Sequence, residues 1–407
     1  MERATYRRAL LWLFGAALLC AIRGDAVAQV PQGTGKVIVL VELKGGADGL
    51  SIAIPYTSGV YYARRPTIGI GPNDVFPLGN GVGLHGELNQ LKTQSWDEGR
   101  LAVIQQVGFP TPASTHEEAM KVWRYGRRDT SRGDGRGWIG RLTDQYFDSH
   151  FDVFGIGVAR TDLFNTARAQ VKPTLVEYLG NIGFSWDWSS SSDGEMRGDT
   201  AHVLAVSSSN PGGARSWTKD VLARMHGLED GLWDINSDYT SNIGYPGSSI
   251  GYNLRDAAKL IQRSPNTQVI YVSMSGFDMH SDSRTRMRDR LSELDDSFSA
   301  FIRDLKAMGK WSTTAVLVFS EFGRSNFENA TGGTEDGHGN NLLLFGGSVA
   351  GGVYGPTPGD AELQADTLAA AIDFRSVLKT IIQSHLGLDP NPIFLEPIPG
   401  DAILPLF

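Results

Sequence analysis

Carboxylate and imidazole side chains recur in this sequence directly after short apolar segments. Such side chains, without thiolates, suit Zn²⁺, Mn²⁺, Mg²⁺ or Ca²⁺. Two such ions close together can hold the attacking and leaving oxygens of a phosphoryl or sulfuryl transfer. The candidate metal ligands are Asp48, Asp278, His280, Glu321 and His338. Their positions predict a divalent-metal site and leave the identity of the metal open.

Three further residues are candidates for catalysis. Thr115 precedes His116, and Glu118 completes a capping-box pattern that predicts Thr115 at a helix N-terminus. A hydroxyl at that position is a candidate nucleophile, because the positive end of a helix dipole stabilises a developing anion. His116 and Arg324 are the candidates for stabilising the anionic centre of the reaction.

Each of these motifs also has a purely structural interpretation. Asp48 lies among glycines, where aspartate commonly forms a turn. Thr115 can serve only as a helix cap, and Glu321 can form an ion pair with Arg324. The functional interpretation depends on the motifs occurring together in one chain.

The apolar segments that precede these residues have the pattern of buried parallel strands, being short, continuous and bounded by glycine. Ligands of open α/β sheets bind at the carboxyl ends of the strands. The strands are predicted at residues 37–42, 101–108, 268–273, 314–319 and 342–345, with helices at 116–126, 254–263, 287–308 and 373–386. This alternation predicts an α/β fold with a mainly parallel sheet sandwiched by helices.

The N-terminus has the features of an export signal. Arginines precede an apolar stretch at residues 9–22, and a small-residue cleavage pattern follows at Ala26-Val27-Ala28. The apolar stretch is too short for a comfortable membrane span. We therefore predict a signal peptide at 1–28, a single domain at 29–407 with an irregular cap-like insertion around 148–253, and a periplasmic or extracellular location. Arg7-Arg8 also permits twin-arginine export, although the surrounding sequence matches general secretion better.

Charge and cysteine content narrow the function classes. The formal net charge is −8, and removing four arginines and two acids with residues 1–28 makes it about −10, which disfavours nucleic acid as a partner. The single cysteine, Cys20, lies within the predicted signal peptide. The mature chain is thus predicted to have no disulfide, no cysteine nucleophile, no thiolate metal site and no transmembrane segment.

Four linked motifs resemble an exported bacterial family, domain-of-unknown-function family 1501. They are Gly45–Leu50, Gly276–Ser281, Ser320–Arg324 and the acidic loop at residues 333–339. The resemblance implies an alkaline phosphatase- or sulfatase-like fold that binds one or two divalent metals at strand ends. It also implies that Asp48, Asp278, His280, Glu321 and His338 are ligands and that Thr115 takes the nucleophile position.

Two departures from the family pattern affect the predicted site. Asp336 stands where relatives usually have a histidine, and Phe322 stands where phosphatases often have a further histidine ligand. Both changes favour oxygen-rich coordination or a single metal over a pair of zinc ions.

The leading hypothesis is an exported metal-dependent hydrolase of phosphate or sulfate esters, acting on a small-molecule or glycan ester. The alternative is a non-catalytic metal- or glycan-binding cell-surface protein with a degenerate phosphatase-like site.

Overall fold

The computed structural model of the protein describes residues 35–109, 111, 115–130, 135–148, 152–157, 162–166, 173–179 and 231–407. The predicted signal peptide lies outside the described residues, as does much of the predicted insertion. Among the described helices, none is both long enough and apolar enough to cross a membrane.

The described strands form one large sheet and one small sheet. The strands are β1 (Val37–Lys44), β2 (Ala53–Ile54), β3 (Val75–Gly79), β4 (Val82–His85), β5 (Leu101–Gly108), β6 (Val153–Ile156), β7 (Thr174–Val176), β8 (Val269–Ser275), β9 (Thr314–Phe319), β10 (Asn340–Gly346), β11 (Gly352–Tyr354) and β12 (Ile372–Asp373). The large sheet has the order β11-β5-β10-β9-β1-β8-β6-β7, with β12 beside β5, and the small sheet has the order β2-β4-β3. In the large sheet β10 runs antiparallel to both of its neighbours, and the other described pairs are parallel.

Helices occupy the connections between these strands. They are α1 (Gly59–Arg64), α2 (Asn89–Leu91), α3 (His116–Tyr125), α4 (Trp138–Tyr146), α5 (Ser249–Arg263), α6 (Ser283–Ala307), α7 (Asp360–Gln364) and α8 (Phe374–Thr380). Helix α8 continues into a π-helical turn at Ile381–His385.

The core has a layer on each face of the large sheet, because successive side chains of a strand point to opposite faces. Val39 and Val41 of β1 pack in one cluster with Leu254 of α5 and Phe298 of α6. Leu40, between the two valines, packs in the other cluster, which contains apolar residues of α3, α4 and α8. Burial on both faces explains why β1 contains an almost unbroken run of apolar residues.

The structure confirms the predicted α/β fold with its mainly parallel sheet. Strands β5 and β9 have the predicted bounds, and β8 and β10 extend one or two residues beyond the predicted segments at one or both ends. Seven short strands were not predicted, namely β2, β3, β4, β6, β7, β11 and β12. Of these, β6 and β7 lie within the region interpreted as an irregular insertion. The carboxyl ends of β1, β5, β8 and β9 lie at the edge of the sheet where β10 begins.

Candidate active site

The glycine turn after β1 brings its backbone against the loops that follow β8 and β9. Gly45 and Gly46 both have positive φ, at 114° and 65°. A Cβ on Gly45 would collide with the backbone nitrogen of Asp278, and one on Gly46 would collide with the ring of Phe322. Glycine is therefore needed at both positions for the backbone conformation and for the close approach.

Thr115 caps helix α3, as the sequence pattern predicted. Its Oγ1 accepts a hydrogen bond from the backbone N–H of Glu118 at 3.2 Å, and Thr115 is exposed. This cap places His116 in the first turn of α3, beside the loop that follows β9. The hydroxyl of Thr115 is thus adjacent in sequence to the one histidine of α3.

Glu321 lies directly behind His116 and fixes the orientation of its ring. Its Oε1 lies 2.8 Å from His116 Nδ1 and accepts the N–H of Gly45 at 2.9 Å, and its side chain is 1% exposed. Since a carboxylate only accepts hydrogen bonds, His116 donates from Nδ1, and a neutral ring keeps a lone pair on Nε2. A buried carboxylate on one ring nitrogen is the usual support for a metal-binding histidine. The ring also packs against Phe322, with the centroids 4.7 Å apart.

The other nitrogen of His116 faces two partly exposed aspartates. His116 Nε2 lies 3.6 Å from Asp336 Oδ1 and 3.8 Å from Asp278 Oδ1. One ligand atom from each of the three residues lies within 4.8 Å of the other two. This is the one group of three or more histidine and acidic side chains among the described residues with such a geometry.

Arg324 lies beneath the two aspartates and binds both. Its Nη2 donates to Asp278 Oδ1 at 2.6 Å, and its Nη1 lies 2.9 Å from Asp336 Oδ1. The same guanidinium donates to the carbonyl oxygens of Gly45 and Gly46, and its side chain is fully buried. Arg324 was predicted to stabilise an anionic centre in the substrate. In this structure its donors are engaged by these protein groups, and the role predicted for Arg324 stays a prediction.

His280 completes this strand-end cluster, by which we mean His116, Asp278, His280, Arg324 and Asp336. Its Nε2 lies 2.8 Å from Asp278 Oδ1, and its Nδ1 lies 3.1 Å from Glu335 Oε2. Both ring nitrogens therefore face carboxylates. The exposed position of His280 leaves its ring accessible from solvent.

The charges of the cluster lower the pKa of Asp278. Partial burial favours a raised pKa for Asp278, but the hydrogen bond and charge of Arg324, with smaller contributions from His280 and His116, outweigh it and hold that pKa below its usual value. The pKa of Glu335 is also lowered, mainly by a hydrogen bond from Asn329. Ionised carboxylates are the form that binds a cation.

Asp48 lies outside the group of His116, Asp278 and Asp336 and forms a buried ion pair with Arg65. Arg65 Nη1 and Nη2 donate to its two carboxylate oxygens at 2.6 and 3.1 Å, and Ser51 Oγ donates to Oδ2 at 2.5 Å. The ion pair is buried, with 0% and 4% of the two side chains exposed. Both oxygens are therefore occupied by protein donors in this structure, and the ligand role of Asp48 stays a prediction.

Two other predicted ligands also lie outside the group that can share an ion. His338 is buried, with Nε2 at 2.5 Å from the carbonyl oxygen of Phe109. Glu321 supports His116 from behind instead of facing the open side of the cluster. Asp336, which sequence reasoning described as a departure from the family pattern that favours oxygen-rich coordination, belongs to the group that could hold an ion. Its place in the same acidic loop as His338 was the signal that could have identified it.

The cluster fits one divalent cation better than two. The imidazole of His116 and the carboxylates of Asp278 and Asp336 supply nitrogen and oxygen donors of the kind that Zn²⁺ or Mn²⁺ accepts. Arg324 takes Oδ1 of each aspartate, and the two Oδ2 atoms have no hydrogen bond to a described residue. Four carboxylates, those of Asp278, Asp336, Glu321 and Glu335, lie in or beside the cluster with the single guanidinium of Arg324, so the site retains negative charge for a cation.

The C-terminal part of the chain matches a known family. Residues 256–401 match the model described as "Protein of unknown function (DUF1501)". This match confirms the resemblance predicted from the motifs, and it includes Asp278, Glu321 and His338 but not the segment around Asp48. No curated protein matches the chain.

Several solved structures are similar in fold. A protein in the alkaline phosphatase superfamily from Vibrio parahaemolyticus is 12% identical, with a TM-score of 0.41 over 90% of this chain and 71% of that one. The C-terminal periplasmic domain of EcEptC from Escherichia coli, in complex with Zn, is 12% identical, with a TM-score of 0.40 over 90% of each chain. PsFucS1 sulfatase from Pseudoalteromonas sp. is 11% identical, with a TM-score of 0.38 over 91% of this chain and 74% of that one. These likenesses bear on neither the metal nor the substrate of this protein.

Proposed function

We propose that this protein is a metal-dependent hydrolase of phosphate or sulfate esters. The observation that carries the proposal is the group of His116, Asp278 and Asp336, in which one ligand atom from each residue lies within 4.8 Å of the other two. The group lies at the carboxyl ends of parallel strands. Its first residue, His116, directly follows Thr115, which is exposed and carries a hydroxyl group. His280 is the fourth candidate ligand.

Each residue of the site has a defined part in this proposal. His116, Asp278 and Asp336 hold one divalent ion, which as a Lewis acid would polarise the ester oxygens. Glu321 keeps the Nε2 lone pair of His116 directed at the site, and Arg324 holds the two aspartates in place.

Thr115 is the proposed nucleophile, at the positive end of α3. Its Oγ1 forms a bond to phosphorus or sulfur while the ester bond to the alcohol breaks, and its proton leaves with the alcohol. Water then releases phosphate or sulfate and restores the threonine hydroxyl.

The test must separate the nucleophile role of Thr115 from its role as a helix cap. Thr115→Asn keeps a side-chain oxygen that can cap α3 but removes the hydroxyl, whereas Thr115→Ser keeps both. With the mature protein loaded with Zn²⁺, Mn²⁺, Mg²⁺ or Ca²⁺, we expect hydrolysis of aryl phosphates or sulfates by the wild type and by Thr115→Ser, and none above background by Thr115→Asn. Full activity of Thr115→Asn would exclude Thr115 as the nucleophile. Inactivity of the wild type on the whole ester panel with every metal would refute the proposed function.

A second candidate function is metal or glycan binding without turnover. It is favoured by Arg324, which already neutralises part of the charge of Asp278 and Asp336 and holds them without any ion. This alternative predicts metal binding by elemental analysis that Thr115→Asn leaves unchanged, with no ester cleaved by any form of the protein.

A further inference from the structure

A large pocket opens beside the strand-end cluster, at the carboxyl ends of β1 and β8. Its volume is about 1100 Å³, and its lining includes Lys44 and Ser275, the last residues of these two paired strands. Asp278 follows Ser275 by three residues, so the two Cα atoms are at most about 11 Å apart. The pocket therefore adjoins the proposed reaction centre.

The size and aromatic content of the pocket indicate a bulky ligand. Its volume reaches the upper end of the range that accommodates drug-sized molecules, well above that of a simple alcohol. Tyr178 and Tyr252 line it, and they are 42% and 45% exposed. Exposed tyrosines present a flat apolar face and a polar edge, which suits the apolar face and the hydroxyl groups of a sugar ring.

Positive charge in the pocket indicates that the ligand is acidic. Lys44, Arg255 and Arg290 line the pocket together with the carboxylates of Glu177 and Glu293. Arg290 is paired with Glu293 at 2.9 Å.

Arg255 carries a hydrogen-bond donor that the protein does not use. Its guanidinium lies over the ring of Tyr252, with Cζ 5.2 Å from the centroid. Its Nε is buried and has no hydrogen-bond partner among the described residues. A buried N–H without a partner costs free energy unless a ligand or water accepts from it. Because Nε is enclosed by the protein, an acceptor that reaches Tyr252 would instead meet the terminal nitrogens of Arg255, which is a half-buried residue.

From these observations we infer that the pocket binds the leaving group of the substrate and that this group is an acidic oligosaccharide. A sugar ring stacks on Tyr252 or Tyr178, and an anionic substituent accepts hydrogen bonds from Arg255 and Lys44. The inference rests on the proposed function for its assignment as a leaving-group pocket. The binding of the oligosaccharide can be measured without turnover.

The test is calorimetric titration of the full mature chain with three acidic hexasaccharides, one sulfated, one phosphorylated and one containing uronic acids, and with a neutral hexasaccharide of the sulfated backbone. We expect at least one acidic hexasaccharide to bind about tenfold or more tightly than the neutral one. Tyr252→Ala and Arg255→Gln should each weaken that binding about tenfold. The matched controls are Trp233→Ala, at an exposed aromatic residue that does not line the pocket, and Arg284→Gln, at an exposed arginine outside it; both should bind like the wild type.

The outcomes separate this inference from the proposed function. Aryl ester hydrolysis with no binding of any acidic hexasaccharide would overturn the inference alone. Equal affinity for the neutral hexasaccharide, or equal weakening by Trp233→Ala, would overturn it as well. Hexasaccharide binding through Tyr252 and Arg255 without any ester hydrolysis would support the pocket and refute the hydrolase.

Discussion

Two arginine–aspartate groups follow the ends of β1, β8 and β9, and they differ in the exposure of their carboxylates. In the pair of Arg65 and Asp48 both side chains are buried, with 0% and 4% exposed. In the group of Arg324 with Asp278 and Asp336 the arginine is also fully buried, but the aspartates are 51% and 38% exposed. The same chemical pair is therefore enclosed by protein in the first case, which we call the closed group. In the second case, which we call the open group, it presents carboxylate oxygens to solvent.

The difference shows that a carboxylate at a strand end is not by itself a ligand. Asp48 has its two oxygens filled by Arg65 and Ser51, and Arg65 also donates to the carbonyl oxygen of Ser325 at 2.6 Å. This pair joins the loop after β1 to the loop after β9. The loop after β9 also carries Arg324, so the buried pair provides the rigid base on which the exposed group is built.

The largest expected effect is on the buried pair. Arg65→Met leaves the Asp48 carboxylate buried without its cation, which should lower the free energy of unfolding by about 3–5 kcal/mol, as measured by urea denaturation. The matched control is Arg64→Met, because Arg64 pairs with the exposed Asp366 at 3.4 Å. That surface pair should contribute about 1 kcal/mol or less. Equal losses in the two variants would contradict the distinction between a closed and an open group.

The next effect concerns metal binding at the open group. Asp336→Asn removes one of the three proposed ligands and should weaken divalent-metal affinity by about a hundredfold or more, beyond the range expected for residues that only support a ligand. The neighbouring Glu335→Gln is the control, since Glu335 is exposed and contacts His280 and Asn329 rather than the centre of the group. Calorimetry with Zn²⁺ and Mn²⁺ measures both. An unchanged affinity in Asp336→Asn would remove this residue from the proposed site.

A smaller effect should follow from Glu321, which supports the open group from within the buried layer. Glu321→Gln keeps the shape of the side chain but can turn an amide N–H toward Nδ1 of His116. Loss of a carboxylate behind a histidine ligand commonly weakens metal affinity by about 10–100-fold. The same titration measures it, with circular dichroism to verify folding. An effect as large as that of Asp336→Asn would indicate that Glu321 is itself a ligand, as the sequence first predicted.

The fold was largely predictable because its strands are buried on both faces. The run Thr314–Phe319 is continuous, apolar and β-branched, and it forms β9 with the predicted bounds. Strands β6 and β7 contain four and three residues, too few for a pattern to emerge. The antiparallel direction of β10 depends on its partners in space and has no signature in its own residues.

The candidate site was predictable in its residue types and only partly in its geometry. His116 and Asp278 lie together because each follows a parallel strand of the same sheet. The role of Asp48 depends on Arg65, 17 residues away, and no local pattern shows which carboxylate a distant arginine will reach. Asp336 was noted as favouring oxygen-rich coordination but was not included among the candidate ligands, because it stands where the family pattern has a histidine.

A fourth aspartate extends the comparison, because Asp295 is buried and forms no ion pair with an arginine among the described residues. Its oxygens accept the backbone N–H groups of Gln90 and Leu91, both at 2.8 Å. Burial raises its pKa from 3.8 to about 6, although these two hydrogen bonds oppose the shift. The folded state therefore holds its proton more tightly than the unfolded state does. The stability that this proton contributes is fully present below about pH 4 and is lost as the pH rises to about 6.

Asp295→Asn should remove this pH dependence. We expect the difference in unfolding free energy between about pH 4 and about pH 7 to change by about 1–2 kcal/mol relative to the wild type, with the variant losing less stability on the alkaline side. Asp296→Asn, at the exposed neighbouring position, is the control and should reduce the pH dependence only slightly, because the charge of Asp296 makes a minor contribution to the raised pKa of Asp295. Parallel pH profiles for Asp295→Asn and the wild type would show that two backbone donors are enough to keep a buried carboxylate ionised. In that case the arginine beside Asp48 would not be what distinguishes the closed group.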